Sequence, residues 1–332
     1  MLAEPSRRSL LKLGVGATAG QIFCSGVADA FFLGRSASRN WQLGANTAIE
    51  GYGLIPAIHT VREIGFTAIE IHPMGVPEPR ADKFPGFEFD KLDQAQRREI
   101  RNALAGFQSV TTHLPYTGLD YMSASGGVRE SAVRTVETAM EATAFFGATV
   151  AVLHPQSLPE GTLDTTWPSY LDRFRRWGDR ARKLGFRITL ETGYPRSVRE
   201  YVRLVKEIDH DSVGSTIDVG HQSRYAELVA RVKPEERSGP VGIRTYNETT
   251  FAIIEGLGPK VFHFHVHDID PATWKEHQPL STGFVDYPKL FQVLRRISYQ
   301  GLLILEISGP GTKMKGLLAD NKRQLEALIS ES

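Results

Sequence analysis

The stretch Val261-Phe262-His263-Phe264-His265 is a short apolar run that ends on a side chain able to bind a metal. Three other runs rich in Val, Ile, Leu, Phe and Thr end in the same way: FRITLE at 186–191, VGSTID at 213–218 and GLLILE at 301–306. Short apolar runs separated by one helix and two loops are typical of buried parallel strands. Their last metal-binding residues are therefore expected at one end of a single sheet: Glu191, Asp218, His265 and Glu306.

Four more strand-like runs come earlier in the chain, at 41–46, 66–72, 109–113 and 149–154. Helical patterns lie between the runs, and those at 56–64, 130–146 and 167–184 each end just before a glycine that suits a C-terminal cap. Eight strands that alternate with helices predict an α/β fold, a (β/α)8 TIM barrel in a single domain, with the active site where the strands end. A doubly wound open sheet is the alternative, but no G-x-G-x-x-G motif follows the first strand.

The longest connection without a strand or helix pattern runs from Gln222 to Asn247. It contains a charged patch at 233–237. Long irregular segments in compact domains are uncommon unless they have a function. This segment therefore predicts either a solvated excursion from the barrel or a lid over the substrate.

Composition narrows the class of protein. The chain has 332 residues, 41% of them hydrophobic, and a net charge of +1, which gives no general attraction to nucleic acid or to an anionic membrane. We therefore expect a small-molecule substrate, no nucleic acid partner and no stable membrane anchor. The composition is also compatible with a homo-oligomer. The single cysteine, Cys24, excludes a disulfide framework and a thiolate zinc site, so any metal must use His, Asp and Glu.

Residues 1–30 predict a twin-arginine signal peptide. Arg7 and Arg8 precede a Gly- and Ala-rich apolar stretch, and Ala28-Asp29-Ala30 supplies the small residues that a signal peptidase reads. The barrel domain would then span 31–332 and be periplasmic or secreted, with the twin-arginine translocase as a transient partner. An amphipathic N-terminal helix with two incidental arginines is the alternative. Because this route carries folded proteins, it suits an enzyme that acquires a metal before export.

The four strand-end residues suggest a specific kind of metal site. Three carboxylates and one imidazole suit a hard or borderline divalent ion such as Mn²⁺, Mg²⁺ or Co²⁺, with Zn²⁺ also compatible. Taken alone, Glu191 or Glu306 could instead form a salt bridge or cap a helix at the rim of the barrel. All four side chains are nevertheless predicted to be metal ligands, because a metal-binding residue ends each of four strands.

Further histidines surround this set. His221 follows Asp218 by three positions and is expected either as a fifth ligand or as a hydrogen-bond donor to substrate. The period of two in the strand places His263, His265 and His267 on one side of the sheet. We expect His263 in a buried layer and His267, with Asp268, at the start of the following loop.

These motifs resemble the xylose isomerase-like TIM barrel superfamily, which contains sugar isomerases, ketose 3-epimerases and apurinic-site endonucleases. The resemblance to the ketose 3-epimerases implies that Glu191, Asp218, His265 and Glu306 hold the metal and that the two glutamates are also the acid/base pair. The D-x-x-H motif of that branch resembles Asp218 to His221. The arginine that follows the strand-seven histidine in those epimerases has no counterpart, since Ile269-Asp270-Pro271 occupies that region.

The endonuclease branch offers a second comparison. Its H-x-x-Y motif resembles His113 to Tyr116, and its strand-four histidine resembles His154. Its D-x-H motif, which binds a third zinc, resembles Lys275-Glu276-His277, where lysine replaces the aspartate and opposes a third metal. An exported protein without a basic aromatic surface is a poor DNA-repair enzyme. His113 and His154 are therefore expected either to bind a sugar substrate or to have structural roles.

The resemblance and the ligand set together imply a metal-dependent sugar isomerase or epimerase of carbohydrate metabolism. A metal-stabilised enediolate of a non-phosphorylated or oxidised sugar would form as one glutamate removes a proton and the other returns it. Further substrate-binding residues are expected at His221, His113, His154 and Trp274, the last as a sugar-stacking platform. Three alternatives remain: a lyase or dehydratase acting on a keto-sugar or polyol, a multinuclear-zinc hydrolase of the endonuclease type, and a non-catalytic sugar-binding protein.

Overall fold

The computed structural model describes residues 41–74, 85–159 and 161–332. Its strands form a closed parallel barrel in which each pairs with the next along the chain and the last pairs with the first. This confirms the predicted single α/β TIM barrel. The strands are β1 Gln42–Asn46, β2 Ala68–Ile71, β3 Ser109–His113, β4 Val150–Leu153, β5 Arg187–Glu191, β6 Val213–Asp218, β7 Val261–Val266 and β8 Leu302–Leu305.

Helices surround the barrel, and their buried faces pack on the outside of the strands. Gly65, Gly147 and Gly185 follow three of them with φ angles of 89°, 70° and 85°, so the predicted C-terminal caps are present. The helices of the described ranges are α1 Leu54–Glu63, α2 Gln94–Leu104, α3 Gly126–Phe145, α4 Leu163–Leu184, α5 Val198–Ile208, α6 Ala226–Arg231, α7 Pro240–Leu257, α8 Tyr287–Arg296 and α9 Gly311–Glu331.

The strand register brings the predicted ligands to one rim. Asp218 at the end of β6 is paired with His265 of β7. Glu191 at the end of β5 is paired with Thr216, which lies on β6 two residues before Asp218. Glu306 directly follows β8, one residue beyond the strand. The four residues thus meet at the C-terminal mouth, which is where active sites lie in this fold.

The prediction that Gln222 to Asn247 form an irregular connection is wrong for most of that segment. It contains α6 and the first half of α7, which begins with Pro240 at its first turn. Gly, Thr and Asn residues weaken the helical pattern of α7, but its buried face packs against the barrel and overrides that weak propensity. In the charged patch at 233–237, residues 233–236 are exposed, in agreement with a solvated excursion, whereas Arg237 is half-buried against the ring of Trp274.

The predicted twin-arginine signal and its cleavage site after Ala30 lie outside the described residues. They remain predictions. Within the ranges that the structure describes, no helix is both long enough and apolar enough to cross a membrane.

Candidate active site

The four predicted strand-end residues converge at the mouth of the barrel. One ligand atom from each of Glu191, Asp218, His265 and Glu306 lies within 4.8 Å of all the others. Nδ1 of His265 is 2.7 Å from Oε1 of Glu191, 3.0 Å from Oε2 of Glu306 and 3.8 Å from Oδ2 of Asp218. Glu306 is 17% exposed toward the cavity, while the others are buried. Carboxylates gathered this closely repel one another unless a cation lies among them, so this donor set fits a divalent metal.

Electrostatics keep these carboxylates ionised. Burial acts to raise the pKa of Glu191, but the imidazoles of His154, His221 and His265 lower it well below its usual range. Burial likewise opposes ionisation of Glu306, and His265 lowers its pKa despite that. Both glutamates are therefore available as proton acceptors at neutral pH.

A fully buried carboxylate lies behind His265. Oε1 of Glu70, on β2 inside the barrel, is 3.1 Å from Nε2 of His265, and its Oε2 accepts a hydrogen bond of 3.0 Å from the Thr111 hydroxyl. Although burial favours the neutral acid, His265 lowers the pKa of Glu70 to about 2. A carboxylate at this position holds a proton on Nε2 and leaves Nδ1 directed at the ligand set.

Glu70 was not among the site residues predicted from the sequence, although an acidic residue within the apolar strand Ala68–Ile71 is a signal that could have identified it. His263 lies in the same interior layer, as expected, with Nε2 3.6 Å from Oε2 of Glu70. Its burial lowers its pKa to about 4, so it is neutral at pH 7.

The second oxygen of Glu191 faces a different group of side chains. Oε2 contacts Nε2 of His154 and is 3.4 Å from Nε2 of His113. The two histidine Nε2 atoms are 3.2 Å apart. Two imidazoles and one carboxylate form a donor set typical of zinc.

A third group consists of His221, Glu276 and His277. Nε2 of His221 is 3.8 Å from Oε2 of Glu276, and Nε2 of His277 is 3.8 Å from Oε1 of Glu276. The side chain of Lys275 is exposed, whereas Glu276 lines the cavity. The loop therefore places the carboxylate of Glu276, and not Lys275, beside the two histidines. That Lys275 opposes a further metal stays a prediction.

Three of these histidines share one orientation. In each ring, Nδ1 faces a backbone carbonyl. Nδ1 of His113 is 3.1 Å from the carbonyl of Leu114. Nδ1 of His221 is 2.7 Å from the carbonyl of Thr192, and Nδ1 of His277 is 3.0 Å from the carbonyl of Glu306. A carbonyl only accepts, so Nδ1 carries a proton in each ring, and Nε2 is the nitrogen that has a lone pair in the neutral ring. This is the usual arrangement of metal-binding histidines.

Two polar residues near the ligands were not selected from the sequence. His267, expected at the start of the loop, is buried, and its Nε2 lies 3.0 Å from Oδ1 of Asp218; this carboxylate raises the pKa of His267 to about 9 against the effect of burial. Arg224 lines the cavity and donates to both oxygens of Glu276 at 2.9 and 3.2 Å. The cavity therefore has an arginine, but it follows β6, whereas the arginine of the ketose 3-epimerases follows strand seven.

The cavity at this mouth has a volume of about 430 Å³. Its lining includes the predicted substrate-binding residues His113, His154 and His221. The structure contradicts Trp274 as a stacking platform, because its ring is buried in a separate small cluster, 5.1 Å from the ring of Tyr246. The exposed aromatic ring at the mouth is Tyr116, which is 38% exposed and stacks on His154 at 4.5 Å.

Barrel and mouth together define a TIM-barrel protein with a candidate metal centre among the loops that follow its strands. The family model described as xylose isomerase-like TIM barrel matches residues 58–329. The chain therefore belongs to the xylose isomerase-like TIM barrel family.

Individual relatives are distant. The uncharacterized protein MJ1311 of Methanocaldococcus jannaschii is 22% identical over 214 residues, which are 59% of this chain and 64% of that protein, so the match spans less than two thirds of it. A xylose isomerase-like TIM barrel protein of Mycobacterium smegmatis, solved with magnesium, has a TM-score of 0.62 and 19% identity over 90% of this chain and 99% of its own. A 3-keto-D-glucoside 4-epimerase from E. coli has a TM-score of 0.59 and 18% identity over 86% of this chain and 100% of its own. At these identities the likeness shows the fold.

Proposed function

We propose that this chain is a divalent-metal-dependent isomerase or epimerase of a non-phosphorylated or oxidised sugar. The observation that carries the proposal is the convergence of Glu191, Asp218 and Glu306 on Nδ1 of His265. Solved structures that share this fold include sugar epimerases, such as the 3-keto-D-glucoside 4-epimerase. A divalent ion held by the four residues would polarise a sugar carbonyl and stabilise the negative charge of an enediolate.

The residues of the chain divide the remaining work. Glu191, at the end of β5, and Glu306, directly after β8, approach the same imidazole nitrogen. One carboxylate can take the proton from the substrate carbon, and the other, once it has itself taken up a proton, can deliver that proton to the enediolate. Asp218 and His265 would hold the ion, and each has a buried partner, His267 and Glu70 respectively. His221 directs Nε2 into the cavity, where it is placed to contact a substrate oxygen.

Proton exchange tests this proposal most directly. The protein is loaded with Mn²⁺ and incubated in D₂O with a panel of free ketoses, inososes and 3-keto sugars, and NMR follows the carbon-bound hydrogens. Exchange of one such hydrogen, with or without inversion, is expected. A protein that binds one ion per chain and exchanges none of the panel would overturn the proposal. The same spectra reveal a lyase or dehydratase, since an enediolate with a leaving group in the β position yields an unsaturated product.

A second candidate function is a multinuclear-zinc hydrolase. It is favoured by the group of His113, His154 and Glu191 and by that of His221, Glu276 and His277, since these add two donor sets beside the main one. Elemental analysis of zinc-saturated protein separates the candidates. Three zinc ions per chain together with phosphodiester or glycoside hydrolysis would favour the hydrolase, whereas the isomerase requires only the four-residue site.

We also propose that the protein works outside the cytoplasm as an exported enzyme without a nucleic acid partner. The support is Arg7-Arg8 with the apolar stretch that follows. Fractionation of cells that express the full chain tests this, with an Arg7→Lys/Arg8→Lys variant as control. Retention of that variant in the cytoplasm is expected, and equal export of both chains would contradict the signal.

A further inference from the structure

A second and larger cavity adjoins the central cavity. It is a groove of about 810 Å³ between the loop after β3 and the loop after β4, nearly twice the volume of the central cavity of about 430 Å³. Tyr116 and His154 line both cavities. Since His154 also contacts Glu191, a single side chain separates the groove from the proposed acid/base residue.

The groove is built from fixed polar groups. The side-chain amide of Gln156 donates to Asp120 at 2.5 Å, and its carbonyl oxygen accepts from the Met122 amide at 3.1 Å. The backbone amide of Gln156 donates to the hydroxyl of Tyr121 at 2.5 Å. These bonds join the two loops across the base of the groove, so it is formed before any ligand arrives, which lowers the entropy cost of binding.

The lining also indicates the charge of an occupant. Among the described residues, it contains one carboxylate, that of Asp120, and neither lysine nor arginine. The lining also contains hydroxyl groups of Ser123, Ser157 and Thr166, the side chains of His154 and Gln156, and apolar surface from prolines and leucines. A neutral, hydroxylated or aromatic group fits such a surface, whereas a phosphate or carboxylate would meet neither lysine nor arginine in the described lining and one negative charge.

We propose that this groove binds a neutral second unit of the substrate, so that the enzyme acts on a glycoside or disaccharide whose reacting sugar lies in the central cavity. This inference rests on the proposed function for the identity of the reacting sugar. The stacked rings of Tyr116 and His154 mark the junction where the glycosidic bond would pass. Tyr116 is exposed there and presents a ring surface on which a sugar can stack.

The test compares free 3-keto-D-glucose with its 4-nitrophenyl and 4-carboxyphenyl glycosides in both anomeric forms, using the Mn²⁺-loaded protein. Binding is measured by calorimetry and turnover by NMR. The neutral glycoside of one anomer is expected to bind at least about tenfold more tightly than the free sugar. The carboxyphenyl glycoside is expected to lose most of that gain.

Ser157→Trp, an exposed position in the groove, is the variant that fills it, and Thr165→Trp, an exposed position on α4 outside the lining, is the matched control. The gain for the neutral glycoside should disappear in Ser157→Trp and persist in Thr165→Trp, while free-sugar binding reports on the central cavity. Equal binding of free sugar and both anomers of the glycoside, or an unchanged gain in Ser157→Trp, would overturn the groove proposal. If the sugars bind but no hydrogen exchanges, the proposed function fails while the calorimetry still decides the groove.

Discussion

Glu191 belongs to two groups of side chains that differ in their chemistry. On its Oε1 side lie two further carboxylates and one imidazole, which form an oxygen-rich group. On its Oε2 side lie His113 and His154, which form a nitrogen-rich group. The first donor set suits Mn²⁺, Mg²⁺ or Co²⁺, and the second suits Zn²⁺. The same carboxylate can therefore take part in single-ion sugar chemistry or in a multinuclear site.

The two groups also differ in how their imidazoles are held. His113 donates Nδ1–H to a backbone carbonyl and directs Nε2 toward the cavity. His265 has the opposite arrangement, with Nε2 near the buried Glu70 and Nδ1 directed at the carboxylates. A carboxylate partner makes an imidazole a stronger donor to a metal than a carbonyl partner does. This difference makes the oxygen-rich group the better candidate for a permanently bound ion.

Glu191→Gln should have the largest effect, because it removes the residue that the two groups share. Loss of the carboxylate as base and ligand is expected to lower the rate of hydrogen exchange by at least about 10²-fold. NMR exchange rates in D₂O measure this loss, and circular dichroism checks the fold. Glu130→Gln, whose side chain is 69% exposed on α3, is the matched control. Exchange at the normal rate in Glu191→Gln would remove this residue from the mechanism.

A comparison of Asp218→Asn with His154→Gln separates the two groups. Asp218→Asn should weaken Mn²⁺ binding by more than the roughly 10–100-fold that loss of an outer partner costs. His154→Gln should leave one tightly bound Mn²⁺ and reduce zinc uptake. Calorimetric titration with each ion gives both affinities. If His154→Gln weakens Mn²⁺ binding as much as Asp218→Asn, then the two groups form a single site.

The rim of the barrel was predictable because each strand carries its own signal. The apolar runs that end in Glu191, Asp218 and His265 give both the strand and the position of its last side chain. Parallel strands in a closed barrel then place these ends together without any long-range information. The oxygen-rich group follows from that geometry.

What lies behind and beside the rim was not predictable in the same way. Glu70 faces His265 across the barrel interior, a contact between β2 and β7 that depends on barrel closure and stagger. Trp274 and His277 both have positive φ angles, 59° and 62°, so the loop after β7 departs from any regular pattern. That loop buries Trp274 and turns Glu276 inward, and a motif comparison that assumes equal spacing misplaces both residues.

Glu70→Gln tests the difference in imidazole support with a smaller expected effect. The amide retains the shape of the side chain but removes the negative charge beside Nε2 of His265, so Mn²⁺ affinity should fall by about 10–100-fold. Thr111→Val, which removes only the hydroxyl bonded to Glu70, should weaken binding less. Titration of Mn²⁺ and thermal melting of the metal-free protein distinguish lost support from lost folding. Unchanged Mn²⁺ affinity in a folded Glu70→Gln protein would mean that a carboxylate beside Nε2 of His265 does not strengthen metal binding.

Lys275→Ala should have the smallest effect and tests the third group of ligands. The lysine side chain is exposed, while Glu276 lies between His221 and His277, so removal of the cation should change neither the number of bound zinc ions nor their affinity. Glu276→Gln, its neighbour in the chain, should abolish any zinc bound by those two histidines, because an uncharged amide is a much weaker ligand than a carboxylate. Elemental analysis of both zinc-saturated variants provides the measurement. An additional zinc ion in Lys275→Ala would show that the lysine opposes metal binding by the group of His221, Glu276 and His277 in the unaltered chain.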